Sequence, residues 1–159
     1  MPELPLSAYE KGFAAASLPG RWEILQENPP VILDGAHNPG AASVLASTLR
    51  RHLKGAPLAI VFGICGDKDV NGVLSPFGGL ARRGWSVTIR NERSLPAAAA
   101  AQAAGRLGIE TTPTDLASAL PAALAWAKEQ GAGVCIFGSL FLVGEVLEMR
   151  GSNDEEKHD

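Results

Sequence analysis

Three short, almost unbroken apolar runs constrain this chain more than anything else in it: VILD at residues 31–34, PLAIVFGI at 57–64 and GVCIFGS at 133–139, with WSVTIR at 85–90 read as a further strand between the last two. A strand with one face in water alternates apolar and polar residues. A continuous run of this length is the mark of a strand covered on both faces. Helical segments separate the runs. After VILD, Asn38-Pro39 supplies a favoured helix cap and a favoured first helical residue, and the pattern predicts a helix to about His52 with Val44, Leu45, Leu49 and Leu53 near one face. A weaker helix is expected over 71–83, then a helix opened by Pro96 and closed by Gly108. Another follows over 114–131, with Thr114 as cap and Gly131 as stop; Pro121 predicts either a kink or a later start there.

Strands alternating with helices predict an α/β fold: a mostly parallel sheet with helices on both faces. Two weaker strands complete it, RWEIL at 21–25 and IETT at 109–112. The turn between RWEIL and VILD is too short for a parallel crossover, so that pair is expected to be antiparallel if adjacent. Residues 7–17 have helical composition, with Ser7 and Glu10 spaced as a capping box. LFLVGEVLEMR is read as the last helix, and residues 151–159, GSNDEEKHD, as a disordered charged tail.

Length and composition bound the function. A chain of 159 residues, 46% apolar, suits one domain with a real core. A net charge of −3 is too small to imply a nucleic-acid partner. No apolar run is long enough to span a membrane, and the start lacks the pattern of a secretory signal, so the expected location is cytoplasmic. Cys65 and Cys135 fit neither a disulfide framework nor a metal-type spacing, and no metal site is expected.

In open α/β sheets ligands bind beyond the carboxyl ends of the strands. There the sequence delivers Asp34, Gly35, Ala36 and His37; Gly63, Gly66, Asp67, Lys68 and Asp69; Arg90, Asn91, Glu92 and Arg93; and Gly138 with Ser139. No phosphate-loop signature, dinucleotide fingerprint or serine-nucleophile elbow occurs. The chain therefore gathers polar groups on one rim without a recognisable engine for phosphate chemistry.

Three motifs in order, LPGRWEIL…PPVILDGAHNPGAA, VFGICGDKDVNGVL and FGSLFLVGEVL, carry a family likeness over roughly residues 4–150. The chain resembles the C-terminal domain of folylpolyglutamate synthase, in many bacteria also dihydrofolate synthase, within the Mur ligase superfamily. Cyanophycin synthetases carry a similar form of the DGAHNP motif, and peptidoglycan ligases carry variants of it. The resemblance implies a Rossmann-like three-layer α/β/α domain over residues 1–150, with about six strands, one of them antiparallel. It further implies an N-terminal ATPase domain as partner, holding the phosphate loop and the Mg ligands. The activity implied is ATP-dependent addition of L-glutamate to folate or dihydropteroate through an acyl phosphate, with no catalysis by this domain alone.

By the same resemblance, Arg21 reaches ATP phosphates and Asp34 accepts hydrogen bonds from the ATP ribose. His37 lies near the phosphate and the incoming glutamate, and Ser139 belongs to the glutamate site. The physical logic agrees: a carboxylate suits paired hydroxyls, an Arg fork suits phosphate oxygens, and a neutral imidazole can take a proton from an attacking ammonium or orient it. Other readings stand beside these. Asp34 could be a helix-start charge, Ser139 a helix cap and Asp67–Asp69 a solvated turn; Arg90 and Arg93 read as surface residues. The whole could be another ligase of the superfamily, or a stand-alone nucleotide- or amino-acid-binding module.

Overall fold

The computed structural model describes residues 20–156. The helix expected over 7–17 lies outside them. Six strands form one sheet: β1 (Glu23–Glu27), β2 (Pro30–Leu33), β3 (Leu58–Phe62), β4 (Ala81–Val87), β5 (Thr111–Thr114) and β6 (Gly133–Phe137). Their spatial order is β1-β2-β6-β3-β4-β5. The β1–β2 pair is antiparallel and every other pair is parallel. The α/β class, the mostly parallel sheet and the one antiparallel strand are as the sequence predicts.

Five helices join the strands: α1 (Pro39–Leu53), α2 (Val70–Leu74), α3 (Ala97–Gly105), α4 (Leu116–Gln130) and α5 (Leu140–Glu156). The period of two along the central strands sorts their side chains into two cores. Ile32, Leu58, Ile60, Phe62, Cys135 and Phe137 face α1, α2 and α3. Val31, Leu33, Ala59, Val61, Val134 and Ile136 face α4 and α5. On the first face Phe137 stacks on Phe77 at 4.2 Å between ring centres.

Several boundaries differ from the sequence reading, each for a local reason. β1 starts two residues late because Trp22 takes a left-handed conformation, φ +46°, which bends residues 21–22 out of the strand. The helix expected over 71–83 is only the five residues of α2 followed by a 3-10 turn, Ser75–Phe77. Pro76 and the Gly78-Gly79 pair stop it. β4 then starts at Ala81, paired with Leu58, and its polar opening (Arg82, Arg83) hid it. β5 pairs through Thr111–Thr114, not 109–112, while Ile109 is buried ahead of it.

The cap of α4 is Asp115, not Thr114; its carboxylate accepts the Ser118 N–H. Pro121 lies inside α4, on its exposed side, and the helix runs on past it. The last helix does not end at Arg150. It continues through Glu156, as a fully exposed extension of the packed turns around Leu142, Val143 and Val146. Among the described residues, no helix is long and apolar enough to cross a membrane.

The Asp115 cap makes stability depend on pH. The Ser118 N–H, then its hydroxyl, hold the Asp115 carboxyl below its ordinary range. A depressed folded-state pKa stabilises above the unfolded value and stops stabilising as pH falls through the folded one. The difference in urea midpoint between the native chain and Asp115→Asn should therefore be present near neutral pH and close as pH drops below about 4.

Candidate functional site

The connections place the rim. The helix after β2 (α1) and the one after β3 (α2) leave on one face of the sheet, while α5, which follows β6, leaves on the other. Since β6 lies between β2 and β3, crevices open on both sides of its carboxyl end, as expected where helices diverge from neighbouring strands. Two clefts occupy them. The larger, about 480 Å³, is lined by Gly20–Trp22, Asp34–Asn38, the first turns of α1 and Leu140. The smaller, about 160 Å³, is lined by His37, Cys65, Lys68, Arg93 and residues 138–141. His37 lines both.

Asp34 organises the larger cleft. It follows β2, and its backbone N–H still donates to Ile136 of β6 at 2.9 Å. One carboxylate oxygen accepts the Ala36 N–H at 2.8 Å and the other accepts the Trp22 N–H at 3.0 Å. Gly35 N–H donates to the Gly20 carbonyl at 2.6 Å, and Gly20 N–H to the Glu23 carboxylate at 3.1 Å. Gly20 and Trp22, which flank Arg21, are thereby bound to the end of β2. Gly20 has φ +77°, and a β-carbon on it would stand 2.6 Å from Val143 of α5, so only glycine fits. A carboxylate has about four lone-pair directions. Two are used here, which leaves acceptor capacity for a pair of hydroxyls.

His37 precedes the α1 cap, Asn38, whose side chain accepts the Ala41 N–H. Its Nδ1 lies 2.8 Å from the Gly35 carbonyl. A carbonyl only accepts, so Nδ1–H donates here, and Nε2 has no hydrogen-bond partner among the described residues. Arg21 is exposed on the rim of the larger cleft, and its guanidinium has no hydrogen bond or ion pair among the described residues. Ser139 is buried; its Oγ accepts the Phe141 N–H at 3.0 Å, so it caps α5, and its hydroxyl proton remains available to a ligand. Gly138, φ +118°, turns the chain there, and a side chain on it would collide with the Gly63 carbonyl.

The structure resolves the roles within Asp67-Lys68-Asp69. Asp69 caps α2 through the Gly72 N–H, and Asp67 pairs with Arg93 at 3.2 Å. Lys68, between them, is exposed on the smaller cleft. The sequence places Lys68 and Arg93 on the rim but singles out neither, reading Asp67–Asp69 as a solvated turn and Arg93 as a surface residue. Both stand on strand-end loops, but only the fold shows that two cations share a cleft with His37 and Ser139. Arg90 lies at the surface, as the sequence suggests, but it is engaged there. It bridges Glu145 and Glu148 of α5 at 3.0 and 2.7 Å, and these contacts push its guanidinium pKa still higher, Glu148 contributing most. Burial, then the Asp34 charge, raises the thiol pKa of Cys135 well above its ordinary value, which leaves it a packing residue. Among the described residues no group of three or more His, Cys, Asp or Glu side chains is placed to hold a metal ion.

The sheet order and the clefts astride β6 define a Rossmann-like ligand-binding domain of the doubly wound class, with an acid–histidine turn on its rim. Residues 20–140 match the Mur ligase, glutamate ligase domain family, and the chain belongs to it. It is 33% identical over 147 residues to the dihydrofolate synthase/folylpolyglutamate synthase of Escherichia coli, covering 92% of this chain and 34% of that protein. A crystal structure of Mycobacterium tuberculosis folylpolyglutamate synthase complexed with ADP and AMPPCP superposes with a TM-score of 0.82 at 31% identity, over 92% of this chain and 35% of that one. A peptidoglycan enzyme, the UDP-N-acetylmuramoyl-L-alanyl-D-glutamate–2,6-diaminopimelate ligase of Corynebacterium efficiens, is 32% identical over 156 residues, covering 88% of this chain and 29% of that protein. The chain thus spans about a third of the relatives it matches.

The Asp34 clamp is directly testable. Asp34→Ala leaves two backbone N–H groups without acceptors and should cost about 1–3 kcal/mol. Hydrogen exchange at Trp22 and Ala36 should accelerate, while amides of β3 and β6 keep their protection relative to global unfolding.

Proposed function

We propose that this domain is the ribose- and amino-acid-contacting third of an ATP-dependent ligase that adds L-glutamate to a folate or dihydropteroate carboxylate. One observation carries the reading: His37 stands between a cleft holding Asp34 and Arg21 and a pocket holding Lys68, Arg93 and Ser139. Two reactants of different chemistry can meet across one imidazole. The nucleotide-bound relative and the folate-type names of the others support the nucleotide and the substrate class.

ATP would supply the phosphoryl group that activates the acceptor carboxylate. Each residue here has a task suited to its chemistry. Asp34 accepts the ribose hydroxyls with the lone pairs its backbone clamp leaves unused. Arg21, unpaired among the described residues, reaches phosphate oxygens and the charge that develops on them. Lys68 and Arg93 face the carboxylates of glutamate, and the Ser139 hydroxyl donates to one of them. His37, with Nδ1 fixed on Gly35, offers Nε2 to the attacking ammonium. The phosphate loop and the Mg ligands belong to an N-terminal ATPase domain outside this chain, with which it forms the complete site.

A second reading, a ligase of the same family acting on a peptidoglycan precursor, draws on the diaminopimelate ligase likeness. Turnover of folate against muramyl-peptide acceptors by the full-length enzyme separates the two.

The isolated domain should hydrolyse no ATP when folate and glutamate are present. Robust turnover by it would overturn the assignment of the ATPase machinery to another domain. In the full-length enzyme His37→Gln should lower kcat about 10²–10⁴-fold while leaving the KM for ATP nearly unchanged; unaltered turnover and glutamate dependence would remove His37 from the reaction.

A further inference from the structure

Besides His37 on the turn after β2, the smaller cleft has three walls that come from distant parts of the chain. The loop after β3 supplies Cys65 and Lys68, the loop after β4 supplies Arg93, and the start of α5 supplies Ser139 and Phe141. The first two walls are bound together closely. Gly66 N–H donates to the Arg93 carbonyl at 2.6 Å, Leu95 N–H to the Ile64 carbonyl at 2.8 Å, and Arg93 pairs with Asp67. Within the β4 loop, Ser94 Oγ accepts the Ile89 N–H and Asn91 Oδ1 accepts the Arg93 N–H, so residues 89–94 form one stiff unit.

The third wall is joined to that unit through Arg90. Its backbone N–H and its Nε–H donate to the two oxygens of Glu145 at 3.1 and 3.0 Å. Its Nη2 donates to Glu148, three residues further along α5, at 2.7 Å. An exposed single-contact ion pair would fix little. Here one residue engages two carboxylates on one helix face through both main chain and side chain, and Glu145 is only 13% exposed. Three hydrogen bonds thus tie α5, seated on the sheet by Leu142, Val143 and Val146, to the β4 loop. Three residues on, the loop carries Arg93 into the cleft, and the start of α5 carries Ser139 into the same cleft.

We propose that the Arg90–Glu145–Glu148 cluster is a positioning device for the amino-acid pocket, holding Arg93 and Ser139 at the separation that a small dicarboxylic amino acid requires. The proposal rests on the reading of this cleft as the glutamate site. Arg90 touches no substrate; it acts through Arg93 and the first turn of α5.

The test is steady-state kinetics of the full-length enzyme with L-glutamate and ATP varied separately. Arg90→Ala and Glu145→Gln should each raise the KM for L-glutamate about three- to tenfold and leave the KM for ATP and the saturated kcat within about twofold. Arg90→Lys, which keeps the charge but loses the fork, should recover only part of the loss. In an Arg93→Ala background, which itself raises the glutamate KM, adding Arg90→Ala should have little further effect. Glu148→Gln, removing only the outer contact, gives a milder variant should Arg90→Ala fold poorly, and it too should act on glutamate alone. Equal changes in both KM values, no change, or full additivity with Arg93→Ala would overturn the positioning role. An unaltered glutamate KM in Arg93→Ala would overturn the assignment of the cleft itself, and the proposal with it.

Discussion

The larger cleft depends on one carboxylate, that of Asp34, which accepts two backbone N–H groups from separate segments. The bond to Ala36 shapes the turn that leads into α1, and the bond to Trp22 holds residues 20–22 against the end of β2. Remove that acceptor and, among the described residues, the hydrogen bonds left to hold Gly20–Trp22 are the short Gly35-to-Gly20 bond and the Glu23 contact. The residue that the family likeness assigns to a ribose is therefore first a structural staple. The two roles are compatible because a carboxylate has more lone pairs than the staple uses. A substituted side chain can fill one role and fail the other.

The second constraint is topological. β6 is the last strand to form in sequence and the third in space, so it inserts between β2 and β3 and sends its helix to the opposite face. That single insertion creates both clefts. It also brings Ser139, 102 residues after His37 in the chain, to the edge of the same cavity. Long-range parallel pairing of this kind must wait until the whole chain is available, so the site is complete only when the fold is.

How far the sequence could be read follows from this division. Local signals were sound where the chemistry is local. Asn38-Pro39 marked the start of α1 to the residue, and the apolar runs marked the strands buried on both faces. The reading failed where tertiary pairing overrode local pattern: β4 takes in Arg82 and Arg83 because β3 pairs with Ala81 and Arg83 on either side of Arg82, and α2 stops short because Pro76 and two glycines follow it. At the site, the motif drew the eye to Asp34 and His37. Lys68 was hidden between two acids whose tasks are a cap and an ion pair, and Arg93 looked like a surface charge. No spacing in the chain links either one to Ser139.

Trp22 gives the rim one more property. Its left-handed backbone, held by Asp34, sets the indole edge-on to His52 with ring centres 5.3 Å apart, at the lip of the larger cleft. The other tryptophans sit elsewhere, Trp85 buried beneath Arg83 and Trp126 on the α4 face of the sheet. The domain thus contains an optical probe of its own at the place where a ligand or a neighbouring domain would arrive. The emission of that one indole, isolated by replacing the other two, follows the state of the cleft without any attached dye.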